Sequence, residues 1–286
     1  TFNDPIGSVS RSPLDNLYDR ANDIDRANLN VIGGLNYVLP IKGFSLDLQY
    51  GINYLNAENK SFTGPRLSNN APSASRFSSE QVTLQNTNAL NYTNTFGDHS
   101  INAVAVLETQ QFTDQNFTAT ASGLRFPQLG YDNIGGNTLA TVSSGFQKWT
   151  LLSLLGRVNY AFKDKYLLTA AVRRDGSSKF GPQNKNSIFP SVALGWRLSE
   201  EEFIKNLNVF SSLKLRGSWG LTGSQAINPY ATLTAYNTTQ VAFSNTAVTT
   251  GVIQGNQGNR NLKWETTRQI DVGLEMELLR GRLSIE

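Results

Sequence analysis

Between Leu152 and Phe162 every second residue is apolar or glycine: Leu152, Leu154, Gly156, Val158, Tyr160 and Phe162 share one parity. After the polar pair Lys163-Asp164 the same alternation resumes through Tyr166, Leu168, Ala170 and Val172. A period of two marks a strand with one apolar and one polar side. The pair predicts a β-hairpin that runs into the polar segment Arg173 to Gly181. Counting by twos elsewhere predicts about ten strands in all. Two more hairpins are predicted, Leu29 to Leu39 with Phe44 to Tyr54, and Val82 to Phe96 with Ile101 to Phe112, the latter weakened by Val104 and Val106 on its polar side. Single strands follow at Phe189 to Leu198, Leu213 to Leu221 and Ile270 to Leu278, and a last one starts at Leu283.

The connections fall into two alternating kinds. Pro40 to Gly43, Gly97 to His99, Lys163-Asp164 and Arg280-Gly281 are short, and Ser199 to Ser211 is a longer member of the same set. There Ser199 and Glu202 have the spacing of a capping box, which predicts a helix of one or two turns. The other connections, Ala57 to Ser79, Thr113 to Lys148, Asp175 to Ser187 and Thr222 to Thr267, are long and rich in Asn, Gly, Thr and Ser. Short turns at one end and long loops at the other are the plan of an outer-membrane barrel. Runs of ~10 residues fit a tilted membrane-crossing strand better than the ~5–6 of an ordinary one.

Charge sharpens this. The apolar parity of the clear strands carries no charged residue, while the other carries Asp47, Arg157, Arg173, Arg197, Lys214, Arg216, Asp271, Glu275 and Glu277. A cation facing lipid at mid-bilayer costs ~2–4 kcal/mol, so lipid enforces such one-sidedness and the charged side becomes the lumen. Tyr37, Phe44, Phe96, Tyr160, Phe162 and Tyr166 lie on the apolar parity beside short turns, as an interfacial girdle would. Aromatics also favour strands in general, and each one alone has that plainer reading.

Composition narrows the function. With 39% hydrophobic and 16% charged residues, no segment approaches the ~18 apolar residues of a membrane helix. The net charge of +3 is scattered, with no basic run for nucleic acid. The absence of cysteine removes disulfides, thiolate metal sites and thiol nucleophiles. Thr1 to Asp4 do not read as a signal peptide. The single histidine, His99, sits in a short turn away from the long loops, which leaves no triad or two-histidine metal motif. Glu200-Glu201-Glu202 reads as a solvated helix face rather than a glycosidase pair. No catalytic residue, cofactor or metal site is expected, and the chain is read as a non-enzyme.

Two groups remain as candidate contacts. Arg157, Arg173, Asp175, Arg197, Lys214 and Arg216 come from neighbouring strands, either as a brace across the lumenal wall or as contacts to a plug or solute. Tyr230, Tyr236, Phe243 and Trp264 in the longest loop could stack on sugar rings or simply pack the loop on itself.

The wording of several segments adds a resemblance. Leu151-Leu152-Ser153-Leu154-Leu155-Gly156-Arg157-Val158-Asn159-Tyr160-Ala161-Phe162-Lys163-Asp164-Lys165-Tyr166, Arg174-Asp175-Gly176-Ser177-Ser178-Lys179-Phe180-Gly181 and Phe189 to Glu201 occur in order. Leu213 to Gly220, Thr222-Gly223-Ser224-Gln225 and Asn261-Leu262-Lys263-Trp264-Glu265-Thr266-Thr267 follow. Together they resemble the SusC/RagA-type TonB-linked outer-membrane proteins of Bacteroidetes. The resemblance implies an all-β antiparallel transmembrane barrel of about 22 strands filled by a plug. It also implies import of oligosaccharides or peptides driven through the TonB complex, a SusD-like surface lipoprotein as lid, and location among the lipids of a Gram-negative outer membrane. Residues 1–286 would then be an internal barrel piece, without signal peptide, TonB box, plug or final strands. The competing class is a surface-binding or adhesive β protein without transport. A plug and TonB box upstream would favour the importer, and a secretory leader directly before Thr1 would sink it.

Overall fold

The computed structural model describes residues 13–137, 139–242 and 248–285. A short helix, α1 (Pro13–Tyr18), precedes five long strands: β1 (Arg20–Val38), β2 (Phe44–Thr63), β3 (Ser73–Phe96), β4 (His99–Ser122) and β5 (Leu139–Phe162). Then come β6 (Tyr166–Ser177), β7 (Asn186–Arg197), the helical turn α2 (Glu202–Lys205) and β8 (Phe210–Ser224). A separate hairpin, β9 (Tyr236–Ala242) and β10 (Val248–Gln254), precedes β11 (Glu265–Leu278) and β12 (Leu283–Ile285). Ten strands form one sheet in chain order, β1 to β8 followed by β11 and β12, with β9 and β10 paired to each other.

The strands are antiparallel, and the pairing of β5 with β6, β6 with β7 and β8 with β11 is regular over most of its length. Tight turns set it: Lys163 and Asp164 have φ of 52° and 54°, the left-handed pair that a two-residue hairpin turn demands. The polar stretches expected as long loops differ from that expectation. Much of 57–79 and 113–148 is strand: β2 runs to Thr63, β3 starts at Ser73, and β4 runs to Ser122. The 222–267 segment likewise contains the β9–β10 hairpin. These stretches are polar on both sides, so they carry no alternation of hydrophobicity to reveal them.

The chain forms two compact units. The first comprises Thr1–Val31, Gly51–Leu84 and Gln111–Lys148. In it Ala74, Ala121 and Leu124 are buried beneath Phe62, Tyr131 and Ile134, so the segment after β4 folds down onto β2, β3 and β4. Lys60 bridges Asp25 and Glu58, and Tyr131 donates to Asp23.

The second unit comprises Ile32–Tyr50, Gln85–Gln110 and Trp149–Glu286. One side of its sheet is apolar and exposed: Leu35, Leu168, Val192, Leu194, Val272 and Leu274 all point outward, Val272 being 80% exposed. Water-soluble monomers rarely leave an apolar surface this continuous uncovered. Aromatics gather at the short-turn end of that side. Phe44 lies 4.7 Å from Tyr92, Phe162 stacks on Tyr166 at 6.3 Å, and Tyr166 on Trp196 at 6.2 Å. Trp196 joins the girdle because the register pairs it with Tyr166.

The turn between β7 and β8 contains the expected helix, but no capping box. Glu201 stands at the N-cap of α2 without a side-chain bond to the helix. Its carboxylate instead accepts from the Tyr166 hydroxyl at 2.7 Å, from Trp196 Nε1 at 3.1 Å and from Lys165 Nζ at 3.3 Å. The Tyr166 hydrogen bond first, then Trp196 and Lys165, hold the Glu201 carboxyl below the usual glutamate range.

One expectation about charge is corrected. β6 continues two turns of the pleat past Val172 to Ser177, which places Arg174 on the apolar side, between Leu154 and Ile188.

Candidate functional site

The polar side of the second unit gathers its charges into clusters. The register sets Arg173 beside Leu155 and Phe189, and Asp175 beside Ser153. Arg173 Nε donates to both Asp175 oxygens at 2.7 and 3.0 Å, and its Nη2 reaches Glu108 at 3.2 Å and Ser153 Oγ at 2.8 Å. Gln85 donates to the other Glu108 oxygen. Ser153 is fully enclosed and Asp175 is 7% exposed, so both have exchanged water for the Arg173 guanidinium, while the enclosed Ser177 hydroxyl accepts from the Lys179 N–H. A larger side chain at position 153 would stand where the guanidinium lies.

A second cluster joins β8 and β11. Lys214 faces Glu275 directly and donates to Oε2 at 3.0 Å, while Arg216 Nε reaches Oε1 at 2.8 Å. Gly273 makes the second contact possible, because a Cβ there would come within 2.8 Å of Arg216 Nε. Ser218 donates to Asp271 beside it. Amides extend the pattern: Asn36 and Asn91 both donate to Asp47, and Asn159 bonds Asn102 and Thr169.

Of the six strand residues singled out in the sequence, Arg173 and Asp175 therefore meet each other, and Lys214 and Arg216 share one carboxylate. Arg157 and Arg197 form no ion pair within 4 Å among the described residues. Of the acids that complete the clusters, Glu275 already stands on the charged parity of its strand, whereas Glu108 comes from a strand read for its apolar positions. The neighbouring-strand register, which a single strand's periodicity does not contain, is what selects them.

The loop aromatics separate. Tyr236 is 70% and Tyr230 45% exposed, whereas Trp264 is only 8% exposed. Phe180 lies 5.0 Å from Trp264 and Phe189 meets it edge-on at 5.6 Å, while its Nε1 donates to the Lys185 carbonyl at 3.1 Å. Trp264 is thus a packing residue, and its expected contact with solute is withdrawn. Phe243 lies outside the described residues. Two of the distinctive segments prove to clasp each other: Gly181 abuts the Arg260 carbonyl, and Asn184 donates to the Asn261 carbonyl at 3.2 Å. Gly223 is required next to them, since a Cβ would overlap the Phe189 ring. Lys179 lies over the Trp149 ring at 4.9 Å, where burial lowers its pKa. His99 bonds the Tyr160 hydroxyl at 2.7 Å within the girdle.

Comparison with known proteins bears on both faces. A family model described as TonB dependent receptor-like, beta-barrel, matches residues 1–286. TonB-dependent receptor P26 of Formosa agariphila is 33% identical over 100% of the chain and 29% of its own length. TonB-dependent receptor SusC of Bacteroides thetaiotaomicron is 43% identical over 47% of the chain and 14% of its own length. Among solved structures, that of the RagAB peptide transporter superposes with a TM-score of 0.81 at 26% identity, covering 93% of the chain and 29% of the RagAB chain. The chain thus spans less than a third of the length of these relatives.

Proposed function

Since the chain belongs to the TonB-dependent receptor-like β-barrel family, in its SusC/RagA branch, we propose that it supplies wall and outer loops of an outer-membrane nutrient importer. The observation that carries this is the contrast between the two sides of one sheet. An exposed apolar side suits hydrocarbon, and a polar side braced by Arg173–Asp175–Glu108 and Lys214–Glu275–Arg216 suits a water-filled passage.

Transport by this wall is passage rather than reaction. Mutually satisfied charges keep the wall rigid while a plug rearranges, because breaking a pair leaves a poorly solvated charge. Arg157 and Arg197 are the cations left to meet a plug or a passing solute, and Tyr236 and Tyr230 are the loop aromatics placed to meet it first. The cargo is an oligosaccharide or a peptide, a SusD-like lipoprotein closes the mouth, and TonB acts through a plug elsewhere in the full protein. The likeness to SusC and to a named peptide transporter supports these readings.

The test uses the full-length protein in its own bacterium. Deleting its gene is expected to abolish uptake of one class of labelled oligosaccharide or peptide, and deleting tonB to abolish it equally. Surface binding that survives loss of TonB, with no uptake to lose, would identify an adhesive protein instead.

A further inference from the structure

We propose that the apolar side of β2–β6 holds one phosphorylated membrane lipid, an acyl chain lying in a trough across the strands and its phosphate on Arg174. The proposal rests on the reading of that side as lipid-facing. The trough is a shallow, open depression that offers about 520 Å³, within the ~300–1,000 Å³ of ligand clefts. Its floor is made of Ala103, Ala105, Gly156 and Ala170, with Tyr92 and Val172 rising at the sides.

Gly156 shows that the depression is not an accident of tight packing. A Cβ there would meet nothing closer than Val172 Cγ1 at 4.0 Å, and its φ is not in the left-handed region. Neither a turn nor a close approach requires glycine. What a side chain at this position would take away is the space.

Arg174 stands two residues beyond Val172 on the same side, roughly 7 Å further along the strand. Its strand neighbours are Leu154 and Ile188, 47% and 59% exposed. Its side chain has no hydrogen bond or ion pair among the described residues, unlike Arg173 next to it. A guanidinium on an apolar flank extends its head towards the interface and binds phosphate through paired donors. A second protein pressed against this side would have to strip water from Arg174 with no acid beside it on β5 or β7 to compensate. An anionic lipid supplies both the missing charge and the chain for the trough.

The test is native mass spectrometry of the full-length protein, extracted from outer membranes in mild detergent and titrated with palmitoyl-oleoyl phosphatidylglycerol or the matching phosphatidylcholine. Wild type is expected to hold one phosphatidylglycerol about tenfold more tightly than phosphatidylcholine, the scale of one charge-assisted contact. Arg174→Gln should erase that preference, and Gly156→Leu should weaken both lipids with Arg174 still present. Equal selectivity in Arg174→Gln, unchanged binding in Gly156→Leu, displacement by inorganic phosphate alone, or a lipid-free dimer would each overturn the proposal. A protein absent from the outer-membrane fraction would instead remove the lipid-facing reading beneath it. A correctly inserted barrel indifferent to both variants would leave that reading intact and sink the lipid site alone.

Discussion

Glu201 gathers a phenol, an indole and an ammonium from three different positions of the girdle turn, and does so as an anion. A carboxyl whose pKa is depressed by folding adds stability above its unfolded value, about 4.3, and loses it as the pH falls through the lower folded value. The heat-unfolding temperature of the full protein should therefore drop on acidification below about pH 4. In Glu201→Gln that part of the drop should be missing, and an identical pH profile would show the cluster to be energetically idle. Side chains of this kind were only half legible in the sequence. Ser199 and Glu202 had the spacing of a capping box, but two of the three competing partners of Glu201 lie 35 and 36 residues away in the chain. Arg174 was hidden for a related reason: its apolar-side placement depends on β6 continuing past the point where alternation stops.

At the scale of the strand, the same parity changes character along its length. On β2 it reads Phe44, Leu46, Leu48, Tyr50, Ile52 and Tyr54, then Asn56, Glu58 and Lys60. On β1 it reads Tyr37 back to Leu29, then Ala27, Asp25 and Asp23. The apolar stretch matches the ~9–11 residues of a tilted crossing strand, and the charges begin where hydrocarbon would end. Val192→Arg, in the middle of the apolar stretch, should destabilise the assembled barrel by ~2–4 kcal/mol. Asn56→Arg, beyond it on β2, should cost under about 1 kcal/mol in the same heat-modifiability assay. Comparable losses would misplace the boundary. The crossing segments were readable because lipid imposes a period of two on them. Their polar continuations were not, since water asks little of either parity, and the small cluster of Ala74, Ala121 and Leu124 is assembled from separate segments rather than from one strand's period.

For the whole molecule, the lack of cysteine in this chain is useful. Glu58→Cys in intact cells should react with a membrane-impermeant maleimide, and Leu194→Cys should react only after detergent. The reverse order would invert the two faces or the orientation. The family was legible from the clasped segments around Phe180 and Trp264, whose wording is fixed by mutual packing. Cargo was not, because the exposed loop residues Tyr230 and Tyr236 follow no packing pattern from which a solute could be read.

The length of β3, β4 and β5, 24 residues each, has an electrostatic consequence. About 13 residues of each exceed what a crossing needs, roughly 40 Å of strand. Counterions damp a charge over ~8 Å at physiological ionic strength. Measured along the strand, the polar excess of each therefore spans several screening lengths. A charge at the far end of any one of these strands is thus screened from a charge on its crossing segment, and the two ends act electrostatically as separate sites.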